Sequence, residues 1–281
     1  MGARVLNLHS FDGYLAFKED ESRKAGRALA DDYRNASPFP HVVIDDFLDA
    51  DVLRAVASAY PSTVDRKHFD REQERLKYQF HADEAESGIV RNLLAELNGR
   101  AFLGFLEEMT GIRGLISDPY LVGGGLHLTR RGGHLGVHAD FNVHEPMKVE
   151  RRLNLLIYLN DDWDQAYGGA LELWDRAMQR CEKKVDPVLG RAVIFSTNLD
   201  SYHGHPDPLD CPPERDRRSI ATYYYTALPV QPDEVRKRTT TFQVRPGTKD
   251  RVDWKVKFDH VISDWVPPRL QRYGRRLNPF R

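Results

Sequence analysis

Three short segments carry the side chains that could do chemistry: "GGHLGVHADFNVHEP", "FSTNLDSYHGHP" and "RRSIATYYYT". In the first, His134, Gly136, His138, Asp140, Asn142 and His144 share one strand parity, while Leu135, Val137, Ala139, Phe141 and Val143 share the other. Strand side chains alternate faces, so one face is apolar and the other presents histidines, an Asp and an Asn. A surface strand would more usually show Lys, Glu and Thr. His138 and Asp140 point the same way with one residue between them, so an imidazole and a carboxylate can reach one ion. A third ligand must come from elsewhere, and His203 and His205 of the second segment both offer it, just after the apolar run "RAVIFST". Two His and one carboxylate on one face of a metal suit non-haem Fe(II) oxygen chemistry, whereas a closed zinc site more often draws on Cys. The plain alternative is a half-buried strand whose polar face meets water.

His-Ala-Asp occurs a second time, as His81-Ala82-Asp83. Here Asp83 and Glu86 resemble a capping box that opens a helix, with His81 just outside it. This copy reads as structural. In the third segment Arg217, Ser219, Ala221 and Tyr223 share one face. A guanidinium with a hydroxyl two residues on can hold a carboxylate. For Arg217 alone, an ordinary surface ion pair is the simpler reading.

These residues need a scaffold. From about residue 117 to 228, short β-rich runs such as "GGGLHLTRR", "RRLNLLIYLN", "GGALELWD" and "GRAVIFST" alternate with turn residues, which predicts a sandwich or barrel. Helices precede it. Leu53, Val56 and Ala57 of "DADVLRAVASAYP" keep helical spacing up to Pro61, and residues 83–110 predict one or two amphipathic helices closed by Gly111. "HVVIDDFL" reads as a strand. The domain plan is a polar lead-in over 1–38, helical or loose, a catalytic domain over 39–228, and a basic extension over 229–281. That extension holds thirteen Lys/Arg against six Asp/Glu, and reads as a solvated surface packed on the domain by Trp254 and Trp265.

A net charge of −1 gives no global attraction to nucleic acid or anionic membranes. Cys181 and Cys211 form neither a CxxC pair nor a disulfide framework, which suits a reducing compartment. "MGARVLNLHSFDGYLAF" has no long apolar run, so neither a signal peptide nor a membrane span is expected, and the location is read as cytoplasmic.

Together, the HxD of "HADF", the His of "SYHGHP" and the RxS of "RRSIA" resemble the iron(II)- and 2-oxoglutarate-dependent dioxygenases, in particular their prolyl-4-hydroxylase-like branch. "RRLNLLIYLN" followed by "GGALELWD" is similar to the strand-turn-strand of that branch, and "PFPHVVIDDFL" resembles the segment leading into its catalytic region. The likeness runs from about residue 38 to 228. It implies a mainly β fold, a double-stranded β-helix (jelly roll, a cupin-like barrel) preceded by helices. It implies His138, Asp140 and His203 as iron ligands; His203 is favoured over His205 because the family places this His straight after an aromatic, here Tyr202. Arg217 would pair with the distal carboxylate of 2-oxoglutarate, helped by Ser219 and Tyr158. Members often carry a Tyr ahead of the HxD strand; "GLHLTRR" has none, so His127 or Thr129 is expected in its place.

The activity so implied is hydroxylation of an unactivated C–H in a small molecule, amino acid or prolyl residue. It would consume O2 and 2-oxoglutarate, release succinate and CO2, and use ascorbate as a supporting reductant. Related halogenases replace the iron-binding carboxylate by a small residue; Asp140 is retained here. Substrate contacts are expected from Arg152 and Asn154, which share parity with Tyr158, and from His134, Asn142 and His144. The rival readings are a jelly-roll metal-dependent hydrolase or isomerase without 2-oxoglutarate, and a binding module with no catalysis.

Overall fold

The structure, a computed structural model, describes residues 4–63, 69–85, 87–229 and 237–252 together with Trp254 and Phe258. The chain opens with a hairpin, β1 (Leu8–Phe11) and β2 (Tyr14–Phe17). Its turn is Asp12-Gly13, both at positive φ (47° and 82°), the backbone of a two-residue hairpin loop. The lead-in is thus neither loose nor wholly helical. Asp-Gly between two apolar-bearing runs carries a hairpin signal that the polar composition of the segment outweighed.

Helices α1 (Glu19–Ala28) and α2 (Ala30–Asn35), strand β3 (His41–Ile44) and helix α3 (Ala50–Ser58) follow. Asp49 caps α3, its carboxylate accepting from the N–H groups of Asp51 and Val52. A second hairpin, β4 (Phe69–Arg71) and β5 (Glu74–Phe80), leads to α4 (Gly88–Leu97) and α5 (Arg100–Thr110). Gly111 ends α5 in the left-handed conformation, φ 75°.

The capping box lies elsewhere than Asp83–Glu86. Glu84 reaches back to accept from the His81 N–H at 2.9 Å, around a single 3-10 turn, Ala82–Glu84. Ser87 caps α4, and Glu86 lies outside the described residues. The apolar run that defines the helix begins only at Ile89, so its cap falls four residues later than Asp83.

The remaining strands are β6 (Ile116–Ser117), β7 (Gly125–Ala139), β8 (Val143–His144), β9 (Val149–Tyr158), β10 (Leu171–Trp174), β11 (Cys181–Val185), β12 (Ala192–Ser196), β13 (His203–His205), β14 (Arg217–Ala227) and β15 (Thr241–Phe242). They build an antiparallel barrel-like sheet in the order β11-β10-β13-β7-β14-β9-β12-β3, with β5 also laid along β7. This is the jelly roll. Alternation along its central strands divides two environments. Leu126, Leu155, Ile220 and Tyr224 pack outward onto Leu93, Phe102 and the rest of the helical layer, forming the main core. The residues between them turn inward.

Part of the C-terminal extension lies on the barrel. β15 pairs with Ala139 and His138 of β7, and Phe242 is buried with its ring 5.4 Å from that of His138. Arg245 is held by Asp250 and Asp207 at 2.8 Å each, so part of the basic excess is neutralised locally. Trp254 is 57 % exposed and does not anchor the segment; Phe242 does, because it sits on the paired strand. Trp265 lies outside the described residues. Among the described residues, no helix is long and apolar enough to cross a membrane.

Candidate functional site

β13 lies beside β7, with His203 opposite His138. This register brings His138, Asp140 and His203 into one cluster whose ligand atoms all lie within 4.8 Å of one another. Asp140 Oδ1 is 3.5 Å from His138 Nε2, and Asp140 Oδ2 is 3.4 Å from His203 Nε2. Each ring is fixed from behind: His138 Nδ1 donates to the Gly136 carbonyl at 2.9 Å and His203 Nδ1 to that of Ser201 at 3.0 Å. Those bonds set the tautomer, leaving both Nε2 lone pairs facing the carboxylate, as metal-ligating histidines require. Burial drives the His203 pKa down to about 4, against the pull of Asp140, so the ring is neutral and able to ligate at pH 7.

Asp140 is itself positioned. Asn154 Nδ2 donates to its Oδ2 at 2.8 Å, and Arg151 approaches the same oxygen at 3.1 Å. Burial alone would raise the Asp140 pKa. The adjoining Arg151, followed by His203 and His138, holds it well below the ordinary carboxylate value. Arg151 in turn donates to Asn154 Oδ1 and lies 3.5 Å over the Tyr223 ring.

A cavity of about 200 Å³ opens beside this cluster. Its far wall is built on β14, which runs between β7 and β9. Ser219 faces His127 on one side and Tyr158 on the other, with Arg217 one turn of the pleat away. Arg217 is 5 % exposed; its Nε donates to the Gly169 carbonyl at 2.8 Å and its guanidinium lies 5.0 Å from the Tyr158 ring centre. Among the described residues, no carboxylate offsets this buried cation, and burial pushes its pKa down. Tyr158 does not line the cavity; its ring packs against Arg217 and its Oη is buried. His127 and Thr129 do line the cavity; burial and the nearby Lys77 lower the His127 pKa to about 3, so that ring is neutral. The charged residues lining the cavity are Arg71, Lys77, Arg151 and Arg217 against Glu74 and Asp140, so its balance favours an anion.

Two expected substrate contacts are displaced, both by β-bulges. On β7 Leu135 and His138 are three positions apart, whereas their partners on β13, His205 and His203, are two apart. The extra residue reverses the faces, so Leu135 lines the cavity with His138. His134 therefore points away and bonds the Glu72 carbonyl at 3.0 Å. On β9, Arg151 and Leu153 stand opposite Tyr225 and Tyr224, so Arg152 is the additional residue. Arg151 thereby joins Asn154 at the cavity, and Arg152 turns to a neighbouring cleft, near Thr226.

Asn142 lines that same cleft and accepts from the Arg238 N–H at 2.7 Å. His144 is fully buried, 3.1 Å from Asp118, and serves the fold. Asn154 does line the cavity, but its amide is committed to Asp140 and Arg151.

The residues that sequence reasoning missed are Arg151, hidden by the bulge, and the β4–β5 hairpin, which supplies Arg71, Glu74, Lys77 and Gln79 to the cavity rim. "LKYQF" did carry a signal, since Leu76, Tyr78 and Phe80 alternate with Lys77 and Gln79.

Residues 124–225 match the family described as the 2OG-Fe(II) oxygenase superfamily. Among solved structures, a Pseudomonas putida prolyl-4-hydroxylase is 18 % identical, with a TM-score of 0.50 over 72 % of this chain and 99 % of that one. A Phytophthora capsici prolyl 4-hydroxylase is 20 % identical, with a TM-score of 0.50 over 95 % of this chain and 80 % of that one. No curated protein sequence gives a significant match. The segment that matches the 2OG-Fe(II) oxygenase superfamily spans every residue of the metal cluster and Arg217 and Ser219, and the chain shares the fold of these prolyl-4-hydroxylases.

Proposed function

We propose that the protein is an Fe(II)- and 2-oxoglutarate-dependent dioxygenase that hydroxylates an unactivated C–H of a small molecule, amino acid or prolyl residue. The observation that carries this reading is the pairing of two unsatisfied features in one cavity. One is a two-His, one-carboxylate cluster with its donors aimed at a common point. The other is Arg217, a buried guanidinium lining the same cavity with no carboxylate partner among the described residues. The first fits Fe(II) and the second fits an anionic carboxylate. A metal-dependent hydrolase would need the second only for an anionic substrate.

In this reading His138, Asp140 and His203 hold the metal. Arg217 and Ser219 hold the distal carboxylate of 2-oxoglutarate, Tyr158 packs against Arg217, and His127 lies at the side of that same site. When bound, Fe(II) with 2-oxoglutarate supplies the oxidising chemistry: O2 is divided between succinate and the hydroxylated product, and CO2 is released. The protein's part is orientation and exclusion. The Nδ1–carbonyl bonds keep both imidazoles directed at the metal position. Asn154 and Arg151 fix the rotation of the Asp140 carboxylate and help keep it ionised before metal enters. Leu135, Leu156, Leu171 and Phe242 give the cavity an apolar wall that limits water. Because Asp140 fills the carboxylate position, hydroxylation rather than halogenation is the expected outcome. The two free cysteines, Cys181 and Cys211, accord with a reducing, cytoplasmic location.

The test is succinate release from 2-oxoglutarate by purified protein with Fe(II) and ascorbate, across a panel of metabolites and prolyl peptides. Substrate-stimulated succinate formation that is lost in His203→Ala and Arg217→Ala supports the reading. Turnover that proceeds without 2-oxoglutarate, or is unchanged in Arg217→Ala, overturns it.

A further inference from the structure

Two histidines stand on β13, and only His203 joins the metal cluster. His205 pairs with Leu135, beyond the β7 bulge, and also lines the cavity. It is 4 % exposed, and its Nδ1 is enclosed with no hydrogen-bond partner. That contrasts with His138 and His203, whose Nδ1 atoms each meet a carbonyl. Buried polar atoms are almost always bonded, so an unpaired ring in a formed cavity implies a missing partner.

The neighbourhood identifies the partner. His205 and Gly169 share one wall of an adjoining cleft, and the Gly169 carbonyl takes the Nε–H of Arg217. Arg217 and His205 therefore line the same cavity and meet at Gly169. A bridging water could reach both His205 and Arg217, but only an anion such as a carboxylate, with two oxygens and several lone pairs, also offsets the buried charge of Arg217. A neutral imidazole always carries one N–H to donate, whichever nitrogen faces the ligand.

We infer that His205 is a co-substrate-binding residue that donates a hydrogen bond to the distal carboxylate of 2-oxoglutarate, beside Arg217 and Ser219. This rests on the 2-oxoglutarate reading of the cavity. It gives the second histidine of "HGH" a task distinct from metal binding, and it makes the site selective for dicarboxylate oxo acids.

The experiment is calorimetric titration of Mn(II)-loaded protein, which does not turn over, with 2-oxoglutarate and with oxalate. Oxalate keeps the chelating end but lacks the distal carboxylate. His205→Val should weaken 2-oxoglutarate binding by roughly tenfold to a hundredfold, the loss of one hydrogen bond to a charged group. Oxalate and Mn(II) affinities should stay within about twofold, and His205→Gln, which keeps an N–H, should recover most of the loss. Should Val not be accommodated, His205→Leu makes the same comparison. Unchanged 2-oxoglutarate binding in His205→Val, or an equal loss of oxalate or Mn(II), overturns the inference. Arg217→Ala separates the two levels. If it loses 2-oxoglutarate while His205→Val does not, only the role of His205 fails; if neither variant matters, the 2-oxoglutarate reading fails with it.

Discussion

Substitution of Gly204 by Ala isolates the contact that places His203, the proposed third ligand. Gly204 lies between His203 and His205, where β13 runs hard against β7. A Cβ there would stand 2.7 Å from the Gly136 carbonyl oxygen and 2.8 Å from that of Leu135, against at least 3.4 Å for ordinary contact. Both obstacles are backbone, so no side chain can swing aside. β13 must retreat by the difference, about 0.7 Å, carrying His203 away from His138 and Asp140. Overpacking of this kind costs about 1–3 kcal/mol of stability. A misplacement approaching 1 Å at a reacting centre costs on the order of 10²-fold in turnover.

The assay pairs thermal unfolding with Mn(II) affinity from electron paramagnetic resonance. Gly204→Ala should lower Tm and weaken Mn(II) by about ten- to a hundredfold, the range found when the supports of a metal ligand are lost. Gly111→Ala is the control: φ is 75° and nothing lies within 4 Å of the added Cβ, so it strains a helix end far from the cluster. It should cost roughly 1–2 kcal/mol of stability with Mn(II) binding intact. Wild-type Mn(II) affinity in a folded Gly204→Ala protein would show that His203 is not a ligand positioned by this contact.

Other consequences concern the fold and its acid stability. Asp118 accepts from His144 and from the N–H groups of Tyr120 and Val122, all near 3 Å, and its side chain is 1 % exposed. Asp118→Ala should therefore destabilise the protein by about 3–5 kcal/mol in denaturant unfolding, with the 2-oxoglutarate KM of the remaining folded enzyme unchanged. Burial would raise the Glu74 pKa, but Lys77 and Arg71 hold it below its ordinary value of 4.5. A depressed folded-state pKa stabilises above the unfolded value and fades as pH falls through the folded one. The stability advantage of wild type over Glu74→Gln should thus be full at neutral pH and shrink below about pH 4.5; a gap that stays constant to pH 3 would show that the Glu74 charge does not matter.

What the sequence disclosed, and what it hid, follow one physical rule. Parity along a strand is readable only while the strand stays regular. Over Arg217–Tyr223 it does, and those residues fall on one face as expected. At His134 and at Arg152 an inserted residue reverses the faces, and nothing in one sequence marks a bulge between two apolar-polar alternations. The choice between His203 and His205 was open from residue type alone, since both sit on one strand two apart. Pairing brings His203 opposite His138 and into the cluster, and leaves His205 beyond the bulge. The hairpin at β1–β2 was legible in Asp12-Gly13. The β4–β5 cover was less so, for Glu74 and Lys77 turn to the cavity while Asp70 and Arg75 of the same hairpin stay in solvent.

The central claim is that His138, Asp140 and His203 hold Fe(II) in a cavity that also takes 2-oxoglutarate through Arg217. Anaerobic addition of Fe(II) and 2-oxoglutarate to the metal-free protein tests it most directly. Chelation of the oxo acid to a facially ligated Fe(II) gives a visible charge-transfer absorption. This band should develop in wild type at one Fe(II) per chain, be absent in Asp140→Ala, and need far more 2-oxoglutarate in Arg217→Ala. A wild-type protein that binds Fe(II) and shows no band at saturating 2-oxoglutarate would contradict it.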